Sequence, residues 1–140
     1  MDRKKLIIDS SFWLTLVLEN ELNHEKIKMI FEEELERGTI LYTTNDIIDE
    51  TVTRMVYDNN LPTTEKFLNF LHQSIQKNAL TQLWTDEQIQ EEAFTVLKKY
   101  HEHKLSMTDA TTVAIMKRFR LDAVLTLDSD FKKVGLPSLP

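Results

Sequence analysis

Four acidic residues at widely separated positions stand where a carboxylate could take part in chemistry. Two of them end apolar segments: Asp9 follows Leu6-Ile7-Ile8, and Asp128 follows the segment 123–127. Because the carboxyl ends of parallel strands meet at one edge of a sheet, acids placed there can face one crevice. Converging carboxylates repel one another unless a cation binds between them, and hard oxygen ligands suit Mg²⁺ or Mn²⁺. Such an ion can bind a phosphate and lower the pKa of a water molecule.

The other two acids, Glu50 and Asp109, lie near the beginnings of expected helices. Glu50 stands near the edge of the apolar face that contains Ile47 and Val52, where a carboxylate is unfavourable unless something positive meets it. Asp109 lies three residues after Ser106, in the first turn of its helix. It joins the other acids if the preceding segment brings that turn to the same edge of the sheet.

Each acid also has a purely structural interpretation. Asp and Ser favour helix N-caps, so Asp9 could cap the helix expected to begin near Phe12. Glu50 could be a surface residue whose stem packs on the core. Asp109 could simply stabilise a helix N-terminus that Ser106 caps. Local signals alone favour these structural interpretations, and only the four acids taken together favour a metal site.

Neighbouring acids compete for two of these positions. Asp49 points off another side of the helix from Glu50, and Asp46 is expected to be a cap. After the last apolar segment, Asp128 is preferred to Asp130 because it lies nearer to the strand end. Asp130 is then a cap, a supporting residue or an alternative ligand. Hydroxyl groups beside the acids could orient carboxylates or contact phosphate, although hydroxyls at helix starts are usually caps. These accessory residues are Ser10, Ser106 and Thr126.

The elements that must position these residues alternate between strands and helices. Strands are predicted at 6–8, at 39–43, at 79–84, in a segment ending at Asp128, and at the edge in the tail 134–140. One helix is apolar nearly all round near Phe12 and Trp13, so it is expected to be buried or part of an oligomer interface. The alternation predicts a single α/β domain over 1–140, with three layers (α/β/α) and a central parallel sheet of four to five strands.

Composition narrows the classes of function. The 140 residues contain no cysteine, which excludes a thiolate metal site and a cysteine nucleophile and fits a reducing, cytoplasmic location. No apolar segment reaches membrane-spanning length, so no membrane partner is expected. The net charge of −6 argues against binding nucleic acid through an overall positive potential. The acids of 32–36, Glu34 among them, are expected to form a solvated helix face. A group of basic residues between Lys117 and Lys133 could still contact a phosphate backbone.

Taken in order, these motifs resemble the PIN domain, a nuclease fold that includes the VapC-type toxins of toxin–antitoxin pairs. The motifs are Ile8-Asp9-Ser10-Ser11, Glu50 in the helix after the second strand, Ser106-x-x-Asp109-Ala110, and the segment from Leu125 to Phe131 with Asp128 and Asp130. The resemblance covers essentially the whole chain. Each motif is short, but their order and placement together are fairly specific.

The resemblance implies a metal-dependent ribonuclease in which Asp9, Glu50, Asp109 and Asp128 hold Mg²⁺ or Mn²⁺, directly or through water. Lys117 and Arg118 would guide the RNA backbone. A small antitoxin protein and a second copy of the chain are the expected partners. The alternative is a catalytically inactive PIN-fold interaction module, which would use the apolar helix surface near Phe12 and Trp13 for protein–protein contacts.

Overall fold

The apolar run Leu6-Ile7-Ile8 lies in the middle strand of a five-stranded parallel sheet in the computed structural model, which describes residues 2–58 and 60–140. The strands are β1 (Lys5–Ile8), β2 (Ile40–Thr44), β3 (Leu80–Leu83), β4 (Ala123–Leu125) and β5 (Ser138–Leu139). Their order across the sheet is β3-β2-β1-β4-β5, and every neighbouring pair is parallel. The three apolar side chains of β1 are fully buried, as in a strand covered on both faces. The predicted parallel sheet and edge strand are confirmed.

Helices connect the strands throughout the described residues. The seven α-helices seen there are α1 (Ser10–Val17), α2 (His24–Glu36), α3 (Asn45–Tyr57), α4 (Leu61–Gln76), α5 (Glu87–Lys99), α6 (Met107–Phe119) and α7 (Asp130–Lys133). A 3₁₀ turn at His101–His103 links α5 to α6. In residues 2–58 and 60–140, no helix is both long enough and apolar enough to cross a membrane.

The order in which the chain adds strands to the sheet reverses at β1. Strands β2 and β3 lie on one side of it, whereas β4 and β5 lie on the other. Open α/β sheets bind ligands at such a point, outside the carboxyl ends of the strands. Strand β1 pairs with β4 so that Ile8 lies beside Leu125, and the backbone N–H of Asp9 donates to the carbonyl oxygen of Leu125 at 2.9 Å. The segments that follow these two strands therefore begin side by side.

Helix α1 is held by an aromatic cluster around Trp13. The Trp13 ring meets Phe67 and Phe70 edge-on, with centroids 5.5 and 6.0 Å away, and a tilted Phe31 at 6.2 Å. Phe12 and Trp13 are both fully buried within the single chain. Burial of this helix is thus confirmed. Neither of these two side chains is accessible to a partner, so the interaction-module alternative could use only other residues of this helix, such as Leu14, Leu16 and Val17, which are partly buried.

Glu34 departs from the expected solvated face of α2. Its side chain is only 3% exposed, and its carboxylate accepts a hydrogen bond from the Thr39 hydroxyl at 2.7 Å. Lys4 and Arg37 approach the same carboxylate at 3.4 and 3.5 Å. The chain reverses at Gly38, whose φ of +75° is in the left-handed region that favours glycine. This tight turn folds Thr39 back over the helix end and covers Glu34.

Candidate metal centre

Three acids from two separate segments form a compact cluster beyond the carboxyl ends of β1 and β4. One carboxylate oxygen from each of Asp109, Asp128 and Asp130 lies within 4.8 Å of the other two. Asp128 and Asp130 are half-buried in the turn that leads from β4 into α7, and the backbone N–H of Asp130 donates to Asp128 Oδ1 at 2.9 Å. The structure therefore brings both competing acids to the cluster instead of only Asp128.

Asp109 reaches this cluster because a capping box fixes the first turn of α6. Its backbone N–H donates to Ser106 Oγ at 3.0 Å, and its own Oδ2 accepts from the backbone N–H of Ser106 at 3.3 Å. The predicted Ser106 cap is confirmed. Oδ2 is engaged at the helix N-terminus, and the side chain as a whole is 8% exposed. Asp109 thus stabilises the N-terminus of α6, and it also lies where a metal ligand would have to lie.

Asp9 directly follows β1 and is almost completely buried, with 3% of its surface exposed. It occupies the N-cap position of α1, but its side chain makes no capping hydrogen bond. Asp9 Oδ2 accepts instead from Thr126 Oγ1 at 2.8 Å and Ser11 Oγ at 3.0 Å. Asp9 Oδ1 is buried without any hydrogen-bond partner. The simple cap interpretation of Asp9 is therefore wrong, and one of its carboxylate oxygens lacks the partner that burial normally requires.

Glu50 faces α1 from the neighbouring helix α3. Its Oε2 accepts a hydrogen bond from Ser10 Oγ at 2.8 Å, and the Ser10 side chain is buried. Thr44, not Asp46, caps α3, because its Oγ1 accepts from the backbone N–H of Ile47 at 3.0 Å. The expected cap role of Asp46 was wrong. The side of α3 that carries Glu50 points toward Asp9.

The electrostatics of the site show that the acids share one environment. Burial raises the pKa of Asp9, hydrogen bonds from Thr126 and Ser11 and the nearby backbone N–H of Ser10 lower it, and the charge of Glu50 adds a smaller increase. Burial also raises the pKa of Asp109 from 3.8 to about 6, and the charges of Asp9 and Asp128 contribute to this rise. Each ionised acid therefore makes ionisation of its neighbour less favourable.

A divalent cation fits this set of side chains. Among the described residues, Lys133 is the one basic side chain that pairs with any of the five acids, with Nζ 3.5 Å from Asp130 Oδ1. A single exposed lysine leaves most of the negative charge uncompensated. Asp9 Oδ1, buried and unpartnered, is the atom that a bound cation would satisfy. All candidate ligands are carboxylate oxygens, the donors that Mg²⁺ and Mn²⁺ prefer.

The basic residues predicted to contact RNA lie elsewhere. Lys117 and Arg118 are in the last turn of α6, eight and nine residues after Asp109, which places them about 12–14 Å along the helix. Arg118 is engaged by Glu92 at 2.7 Å and by Asp86 at 3.9 Å. The structure does not bring these two residues to the acid cluster.

Sequence reasoning missed two residues that do lie at the site. Ser11 binds Asp9, although Ser10 was singled out and Ser11 was not. Lys133 reaches Asp130, although it was treated only as part of a basic region. The spacing from an acid could have indicated both residues. Ser11 is two residues after Asp9, and Lys133 is three residues after Asp130 on the same short helix.

Comparison with known proteins identifies the family. The family described as "PIN domain" matches residues 6–136 of this chain. A VapC ribonuclease of Archaeoglobus fulgidus is 30% identical over 100 residues, which cover 71% of this chain and 58% of that protein. The chain thus matches a little under three fifths of the length of this curated relative.

Two solved structures share the fold. One is VapC20 of Mycobacterium tuberculosis, described as a toxin that cleaves the sarcin-ricin loop, with a TM-score of 0.80, 20% identity, and coverage of 94% of this chain and 95% of that chain. The other is VapBC2 of Rickettsia felis bound to a DNA fragment from its promoter, with a TM-score of 0.67, 7% identity, and coverage of 96% and 97%. Identities this low compare folds alone, whereas the family match spans nearly all of the sequence. The chain therefore belongs to the PIN-domain family.

Proposed function

We propose that this protein is a metal-dependent endoribonuclease that hydrolyses RNA phosphodiester bonds at the acid cluster. The observation that carries the proposal is the buried, unpartnered Asp9 Oδ1 on a carboxylate whose charge acts on Asp109, one of three clustered acids. A fold without a functional demand has no reason to retain such an arrangement, because buried unpaired acids destabilise it. Membership of a family that includes ribonucleases supports the same conclusion.

The acids divide into two groups by their surroundings. Asp9, Asp109 and Asp128 would bind Mg²⁺ or Mn²⁺ against the scissile phosphate, and Asp130 lies close enough to Asp128 to serve as a further ligand. The bound ion would lower the pKa of a water molecule and stabilise the charge that develops on the phosphate. Glu50, which Ser10 holds on the α1 side, would orient the attacking water or bind a second ion.

The RNA backbone must be held by local positive charge, since the chain as a whole carries −6. Lys133 Nζ lies 3.5 Å from the Asp130 carboxylate, so it can contact a phosphate next to the one that is cleaved. Lys132 is exposed on the same helix. Lys117 and Arg118 would then bind RNA farther from the cleaved bond.

We further propose that the protein acts as the toxin of a toxin–antitoxin pair and forms a homodimer. Support for the toxin role comes from the naming of the Archaeoglobus fulgidus relative as a VapC ribonuclease and from the similar fold of VapBC2 of Rickettsia felis, whereas the homodimer stays a prediction from the family resemblance. The ribonuclease name of the same relative also supports RNA as the substrate. An antitoxin would bind the folded toxin and block access to the acid cluster.

Cleavage of a labelled RNA by the purified protein tests the proposal. We expect cleavage with Mg²⁺ or Mn²⁺, none with EDTA, and none from Asp9→Asn or Glu50→Gln. Asp49→Asn is the matched control for Glu50→Gln, because it removes an exposed carboxylate from the preceding position of α3. Full cleavage by Asp9→Asn would remove Asp9 from the mechanism. Equal cleavage with and without EDTA would refute metal dependence.

A further inference from the structure

We propose that Ser11 and Thr126 are positioning residues that together fix which oxygen of Asp9 faces the metal. The two hydroxyls bind one oxygen of the carboxylate and leave the other free, and they also tie Asp9 to the segment that carries Asp128. This inference rests on the proposed metal-dependent function, because the two hydroxyls are proposed to orient a metal ligand.

Both hydroxyl groups are directed at Asp9 Oδ2. Thr126 Oγ1 lies 2.8 Å from this oxygen and Ser11 Oγ lies 3.0 Å from it. Backbone N–H groups occupy the acceptor side of each hydroxyl: Asp128 N donates to Thr126 Oγ1 at 3.0 Å, and Leu127 N donates to Ser11 Oγ at 2.9 Å. Since each hydroxyl has one proton and already accepts from the backbone, its proton is available for the carboxylate.

The consequence for Asp9 is an asymmetric carboxylate. With two charge-assisted hydrogen bonds on Oδ2 and none on Oδ1, rotation that exchanges the two oxygens would break both bonds. The free oxygen is thereby held in one place, which is the condition for a preorganised ligand. Without the hydroxyls the two oxygens would be equivalent, and the orientation of the carboxylate would be lost.

The same hydroxyls fix the segment after β4. Ser11 lies in α1, but its Oγ accepts from Leu127 N and lies 3.1 Å from Thr126 Oγ1. Asp128 N binds Thr126, and Asp130 N binds Asp128 Oδ1 at 2.9 Å. A continuous chain of hydrogen bonds therefore runs from Asp9 to Asp130. Two acids that are more than 100 residues apart in the sequence are held in register by two small hydroxyl side chains.

Mn²⁺ affinity, measured by the electron paramagnetic resonance signal of free Mn²⁺, tests this role. We expect Ser11→Ala and Thr126→Val each to weaken Mn²⁺ binding by about 10-fold or more, the usual effect of removing a group that orients a metal ligand. Thr126→Ser keeps the hydroxyl and should bind Mn²⁺ nearly as tightly as the wild type. Thr64→Val is the matched control, since Thr64 is also buried and its hydroxyl binds only the carbonyl of Asn60, the N-cap residue of α4.

The outcomes separate this inference from the proposed function. If the wild type binds no Mn²⁺, the proposed metal-dependent function fails and the positioning role fails with it. If the wild type binds Mn²⁺ and the folded Ser11→Ala and Thr126→Val proteins bind it equally tightly, only the positioning role is refuted. Equal weakening by Thr126→Ser and Thr126→Val would also refute it, because the hydroxyl would then be irrelevant. Should Thr126→Val not fold, Ser11→Ala decides the question alone, since Ser11 is only half-buried whereas Thr126 is buried.

Discussion

In the metal-free protein, Asp109 should destabilise the fold at neutral pH, so that Asp109→Asn stabilises it. Burial and the charges of Asp9 and Asp128 raise the pKa of Asp109 from 3.8 to about 6. Between these two values the folded chain binds more protons than the unfolded chain. The free energy of unfolding therefore falls as the pH rises through this window, and it levels off once Asp109 is ionised in both states.

The size of the effect follows from the pKa difference. Each pKa unit corresponds to about 1.4 kcal/mol, so ionised Asp109 lowers the free energy of unfolding by about 3 kcal/mol above pH 7. Roughly four fifths of that loss falls between pH 4 and pH 8. Asparagine has no charge to bury, and its side-chain oxygen can still accept from the backbone N–H of Ser106. The variant should match the wild type near pH 4 and exceed it by about 2–3 kcal/mol at pH 8.

Urea denaturation in EDTA at a series of pH values measures this difference. Asp49→Asn controls for the change in net charge, because it removes an exposed carboxylate outside the cluster. A stability advantage of Asp109→Asn that is the same at pH 4 and pH 8 would refute the reasoning, since the advantage must come from ionisation. An advantage that grows with pH but disappears on adding Mn²⁺ would link the raised pKa to the metal site.

Three further predictions test other parts of the structure. Mn²⁺ at 100 times its Kd should raise the free energy of unfolding of the wild type by about 2.7 kcal/mol. At the same Mn²⁺ concentration, Asp128→Asn should be stabilised less. An unchanged urea midpoint for the wild type would exclude a native-state metal site. Lys133→Ala should reduce RNA cleavage and its salt dependence more than Lys117→Ala does, because Lys133 reaches the acid cluster. Measurement of kcat/KM at two ionic strengths checks this. A larger effect of Lys117→Ala would place the scissile phosphate near the end of α6. Trp13→Ala should cost about 3–5 kcal/mol of unfolding free energy, since it empties the centre of the aromatic cluster; a loss below about 1 kcal/mol in urea denaturation would show that the cluster contributes little.

The features that could be predicted from the sequence are those fixed by local chemistry. The run Leu6-Ile7-Ile8 predicts a buried strand because a parallel strand covered on both faces needs consecutive apolar residues. Ser106 and Asp109 predict a capped helix because the capping box depends only on their spacing. Once these elements are placed in a parallel sheet, the topology itself puts Asp9 and the residues after β4 at one edge.

The features that could not be predicted depend on how separate segments turn toward each other. Asp130 was ranked below Asp128 by distance from the strand end, yet the tight turn into α7 brings both carboxylates to Asp109. Lys117 was expected to contact RNA because basic residues cluster near it in sequence. A helix separates residues along its axis by 1.5 Å each, so a charge two turns beyond Asp109 leaves the site.

Glu34 and Asp9 are two buried acids that differ in how far the chain itself compensates their charge. Both residues are 3% exposed. Glu34 has a hydroxyl donor on one oxygen, and Lys4 and Arg37 on the other, so both of its oxygens have partners within the chain. Asp9 has two hydroxyl donors on Oδ2 and nothing on Oδ1, and the charge of Glu50 that acts on it is itself negative. A fold can keep the first arrangement for stability, whereas the second is the one that the proposed cation would neutralise.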